Sequence, residues 1–233
     1  MKQAIVVLIL CLVCGLARAD GTTVDKVYHP YVLPLEREFE WRIMFQEEES
    51  HPGDNVLSQR LGYGHGLSET VSLEAYLIGE RAGGENFAVT GYELELRWML
   101  TEQGELWADW GMLFEFEREE DGDNFEATAG VLFEKEIGRT SLTINVFAIY
   151  EWGQIENEWE SEFRLKYRYR WIPQVQPAVE VYAGEDFLGI GPAFMGVQRY
   201  EKQKQLKWEA GLIFGIGADS TETTFRFALE YEF

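Results

Sequence analysis

Cysteine is nearly absent: the chain has two, Cys11 and Cys14, both close to its start. The remaining sequence can form no disulfide, thiolate metal site or cysteine nucleophile. Positive charge is scarce as well. Lys+Arg number 20 against 41 Asp+Glu, a formal charge of -21, which excludes a protein held to nucleic-acid phosphates by its overall charge. There are only 3 His and 6 Pro. Beyond Leu35 there is no apolar run approaching the ~20 residues that a membrane-spanning helix needs. What is present is 46% hydrophobic and 15% aromatic, too apolar for a disordered acidic chain. A length of 233 residues suits one sizeable domain.

The first residues read as an export signal. Lys2 supplies a basic start, Ala4 to Leu16 an apolar run, and Ala17-Arg18-Ala19 the small-x-small pattern of a cleavage site before Asp20. The predicted organisation is a signal peptide at 1–19, a periplasmic N-terminal segment at 20–34 and a β-barrel at 35–233.

From Leu35 onward, polar and apolar residues alternate with period two, the pattern of strands with two unlike faces. Between Trp159 and Trp171, Phe163, Leu165, Tyr167 and Tyr169 alternate with Glu160, Glu162, Arg164, Lys166, Arg168 and Arg170. The same split sets Phe39, Trp41, Ile43 and Phe45 against Glu36, Glu38, Glu40 and Arg42. Twelve such segments, joined by turn-rich and charged connections, predict an all-β, transmembrane, antiparallel up-and-down barrel of about twelve strands. An even strand number puts both termini on the periplasmic side.

Alternation alone does not separate a membrane barrel from a soluble one with an apolar interior. Aromatic residues at the ends of apolar columns favour the membrane: Trp98, Trp152, Trp159, Trp171, Trp208 and Tyr231 form candidate interfacial girdles. The last strand carries Phe227, Tyr231 and a terminal Phe233, a candidate signal for the outer-membrane barrel assembly machinery.

Three stretches carry a family resemblance: Val27 to Trp41 (VYHPYVLPLEREFEW), Leu61 to Val71 (LGYGHGLSETV) and Leu106 to Gly111 (LWADWG). They resemble uncharacterised Gram-negative outer-membrane barrels, and the Gly-Tyr-Gly-x-Gly-Leu-Ser-Glu turn is similar to that of barrels grouped with meta-pathway phenol degradation. The resemblance implies an outer-membrane address and a presumed transport role. It brings no substrate or catalytic residue.

By parity the charged face points into the barrel, where acids outnumber bases. Such a lumen is either water-filled or cross-linked by ion pairs, because an unpaired charge in low dielectric costs several kcal/mol. Arg164, Lys166, Arg168 and Arg170 lie at the depth of Glu36, Glu38 and Glu40, and acid facing base across the lumen would make a constriction or a plug. The expected function is a channel or facilitator for small solutes of unknown identity, with an acidic lumen favouring cations or neutral molecules. The alternatives are a closed structural or envelope-interaction barrel and, further off, a barrel hydrolase. No hydrolase motif is present, and His51, beside Glu47 to Glu49 and Asp54, is the one histidine in an outer loop. The oxygen-rich loop Glu119 to Asn124 lacks calcium-loop spacing and suits loose cation bridging to lipopolysaccharide. No cofactor or specific metal site is expected, and the partners are outer-membrane lipid, lipopolysaccharide and the assembly machinery.

Overall fold

The computed structural model describes residues 24–48, 55–120, 124–154, 157–185, 187–200, 204–216 and 222–233. The predicted signal peptide, His51 and the centre of the Glu119–Asn124 loop lie outside them. Twelve strands follow in chain order: β1 Arg37–Glu48, β2 Val56–Gly66, β3 Val71–Ala82, β4 Ala88–Met99, β5 Asp109–Glu119, β6 Phe125–Ile137, β7 Thr140–Trp152, β8 Glu158–Tyr169, β9 Gln176–Ala183, β10 Leu188–Arg199, β11 Gln205–Gly215 and β12 Glu222–Glu232. Each pairs antiparallel with its sequence neighbours, and β1 closes on β12, so the sheet has no free edge. The closing register sets Phe39 against Tyr231 and Glu40 against Glu230. At the β3–β4 pair the register shifts between Ile78 and Gly79.

The burial pattern is inverted relative to a soluble protein. Phe39, Leu61, Tyr92, Leu94 and Val146 are about half exposed on the outer wall, whereas Glu95, Lys166, Glu180 and Glu232 are completely buried inside. A wall of this kind is stable against hydrocarbon and not against water, so the fold is that of a transmembrane barrel and not of a soluble one.

Aromatic rings collect at both ends of the wall. At the end that holds the C-terminus, Phe233 stacks on Phe39 at 5.7 Å and on Tyr231 at 5.8 Å. Trp98 and Trp171 stand at the same end, at or just beyond the limits of β4 and β8, and Trp208 lies three residues inside β11 from that end. At the opposite end Trp152 stacks on Phe125 at 5.6 Å, and Trp159 lies 4.8 Å from Tyr150. The six expected girdle residues therefore lie toward the two ends of the wall. Phe227 also faces outward, edge-on to Trp41 at 6.2 Å.

Residues 24–34 depart from the expected arrangement. Expected on the periplasmic side, they enter the barrel before β1 begins, and Val27 and Tyr28 have no exposed surface. They form no regular element. Two glycines of the wall make room for them. A Cβ on Gly111 would sit 3.0 Å from the Pro30 Cβ, and one on Gly66 would run into the Leu33 carbonyl oxygen.

Candidate functional site in the barrel lumen

The lumen is organised around this internal segment, which meets the wall on nearly every side. Asp25 accepts from Arg42 at 3.0 Å, with Arg164 at 3.8 Å and Arg60 at 3.9 Å. Burial alone would raise the Asp25 carboxyl; the guanidiniums of Arg42, Arg60 and Arg164 overcome it and hold the group below the ordinary carboxylate range. Lys26 donates to Glu40 at 3.0 Å and to Glu230 at 3.3 Å. The Tyr28 ring packs with Leu113, Leu132, Phe147 and Ile149. Its hydroxyl donates to Glu115 at 3.1 Å and accepts from Arg42 at 3.0 Å. His29 contacts Glu134, and Tyr31 donates to Asp109 at 2.8 Å.

The wall supports these contacts with its own pairs. Arg60 binds Glu93, and Arg97 donates to both Glu74 and Glu95 at 2.9 Å. Arg226 holds Glu180 and reaches Glu209 at 2.9 Å. Carboxylate oxygens of Glu93, Glu95 and Glu115 lie within 4.8 Å of one another, which three nearby arginines and the Tyr28 hydroxyl make tolerable.

The expected opposition of bases on β8 and acids on β1 is not what forms. Arg164 donates from Nε to Glu162 at 3.0 Å, Lys166 to Glu209 at 3.0 Å and Arg168 to Glu134 at 3.4 Å. Arg170, just past β8 at the rim, donates to Glu136 at 2.6 Å. Glu40 instead takes Lys26 and Arg42. The internal segment stands between the two sets, so its charges replace contacts across the lumen.

Below the segment, at the end holding the C-terminus, a cavity of about 380 Å³ remains, lined by Glu36, Glu38, His65, Arg97, Arg168 and Lys207 among others. Burial raises the Glu36 carboxyl to about 7, with Glu230 adding to the rise and Lys207 opposing it. The residues that sequence reasoning missed are Asp25, Lys26, Tyr28, Asn145 and Tyr182. Small residues facing a lumen otherwise crowded with long side chains, Gly111 among them, were the available signal.

No family model and no curated protein matches the sequence. Solved structures match the fold. The KdgM porin in complex with disordered oligogalacturonate is 12% identical, with a TM-score of 0.56 over 84% of this chain and 99% of that one. An outer-membrane channel from Pseudomonas putida F1 is 13% identical, with a TM-score of 0.54 over 90% and 98%. The translocator domain of the autotransporter NalP from Neisseria meningitidis is 11% identical, with a TM-score of 0.54 over 87% and 88%. At these identities the likeness is one of architecture: the chain has the closed, twelve-stranded fold of outer-membrane β-barrels.

Proposed function

We propose that this chain is an outer-membrane channel or facilitator for small solutes, and that the arrangement described above is its closed state. The observation that carries the reading is the nature of the closure. The barrel wall does not collapse inward; a single irregular segment, residues 24–34, fills it through polar contacts and one aromatic anchor. A closure made this way can open without breaking the β-ladder, because none of those contacts belongs to the strand pairing. KdgM is named as a porin and the Pseudomonas putida F1 protein as a channel, which supports the transport reading.

Selectivity follows from the carboxylates. With the segment displaced, Lys26 leaves Glu40 and Glu230, and the lumen becomes more acidic around the cavity that Glu36 and Glu38 already line. The open path then favours cations and neutral molecules over anions. Outer-membrane lipid and lipopolysaccharide surround the apolar wall, and the assembly machinery reads the terminal strand with Phe227, Tyr231 and Phe233. A second reading, a closed structural barrel, is favoured by the density of buried ion pairs, among them Asp25–Arg42, Lys166–Glu209 and Arg226–Glu180.

Single-channel recording of the refolded protein in planar bilayers tests the proposal. Cation-selective steps, rare in the native chain and frequent once the segment is loosened, are expected. Silence from every variant that still folds would leave the structural barrel as the better account.

A further inference from the structure

Four consecutive carbonyls of the internal segment each receive a side-chain donor from one arc of the wall. The Tyr182 hydroxyl donates to Asp25 O at 2.7 Å, Arg164 to Lys26 O at 3.0 Å, Lys166 to Val27 O at 3.2 Å and Asn145 Nδ2 to Tyr28 O at 2.9 Å. Asn145 Oδ1 also accepts the Tyr28 N–H at 2.7 Å. All four donors come from the adjacent strands β7, β8 and β9. None of these bonds depends on which side chains the bound peptide carries. The arrangement captures main-chain groups as an added strand would, with side chains in place of a sheet edge.

Other parts of the wall read side chains. Arg42 takes the acid at 25, Glu40 and Glu230 the base at 26, and the Leu113–Leu132–Phe147 pocket with Glu115 the tyrosine at 28. Val27 packs with Val24, Tyr182 and Ile213. Backbone capture on one arc and ordered side-chain pockets elsewhere are the two components of a peptide-binding site.

We infer that the lumen is a binding site for a non-helical peptide of acid–base–apolar–aromatic order, and that it accepts such a peptide as a separate molecule once residues 24–34 have left. The inference deepens the channel reading, since it needs the resident segment to be displaceable. The native segment, being tethered, competes at a high effective concentration, so a free peptide gains access only when the resident is weakened.

The test uses the full chain carrying Tyr28→Ala, refolded in detergent, and a synthetic peptide of residues 24–34 labelled at its C-terminal end. Saturable binding by fluorescence polarisation is expected, about tenfold or more weaker for the native chain, and weakened roughly 30-fold in the Tyr28→Ala chain when Asn145→Ala is added, as the loss of two hydrogen bonds implies. A scrambled peptide of the same composition should not compete. Absence of saturable binding, with hydrogen exchange showing the segment released, overturns the proposal. If Tyr28→Ala does not fold, the native barrel carries the test: excess peptide should speed exchange of the Tyr28 amide, and an unchanged rate overturns the proposal. Peptide binding without conductance in any variant would sink the channel reading alone, whereas conductance without peptide binding would sink this one.

Discussion

Asn145 and Tyr28 are 117 residues apart in sequence and bonded twice, the amide of one accepting the N–H of the other at 2.7 Å and donating to its carbonyl at 2.9 Å. This pair ties the internal segment to the middle of β7. Asn145→Ala removes both bonds without changing the charge of the lumen. At about 1 kcal/mol per bond, the balance between docked and released segment should shift roughly 30-fold. Bilayer recordings should then show more frequent openings, while the unheated protein keeps the fast gel mobility of a closed barrel. An Asn145→Ala protein as silent as the native chain would mean that the segment is not what closes the path.

The strands and their faces were legible because each is a local pattern. In β8 the alternation of Glu160, Glu162, Arg164, Lys166 and Arg168 with Phe163, Leu165, Tyr167 and Tyr169 defines both the element and its two sides. The segment before β1 has no such period: Pro30 and Pro34 interrupt it, and Asp25, Lys26 and Tyr28 find partners far along the chain in Arg164, Glu230 and Asn145. A lone residue that bonds a lone residue at long range leaves no mark on its neighbours. For the same reason the inward direction of Glu40 and Arg164 was readable, and their partners were not.

The outer wall can be probed at Leu165, which pairs with Ile144 and Val181 and faces away from the lumen. Leu165→Arg places a charge against hydrocarbon near mid-strand, at a cost of roughly 2 to 4 kcal/mol. The yield of folded, heat-modifiable barrel should fall. Normal folding of this variant would mean that the apolar wall does not face lipid.

Acidity should act through Glu36. Its carboxyl, at about 7 in the folded chain against an ordinary 4.5, binds a proton more tightly when folded than when unfolded. Its contribution to stability is therefore full below the ordinary value and declines as pH rises from about 4.5 through about 7. The urea midpoint of the native chain should fall over that window relative to Glu36→Gln, which cannot ionise. Parallel profiles for the two proteins would show that burial does not hold Glu36 protonated.

Lys166 and Arg170, on the same run of bases, should respond unequally to neutralisation. Arg170 and Glu136 meet at the rim, both about a third or more exposed, and such pairs contribute only ~0 to 1 kcal/mol. Lys166 has no exposed side-chain surface, and it holds both Glu209 and the carbonyl of Val27. Its loss leaves Glu209 with Arg226 and takes a donor from the internal segment. Breaking a buried pair costs about 3 to 5 kcal/mol, and Arg226 keeps the expected loss near the lower figure. A charge reversal, Lys166→Glu, should be worse still, because it sets a second buried carboxylate beside Glu209. Urea midpoints should therefore stay nearly fixed for Arg170→Gln, drop clearly for Lys166→Met and drop further for Lys166→Glu. Equal midpoints for all three would mean that the base at 166 is solvated and that the internal segment does not cover it.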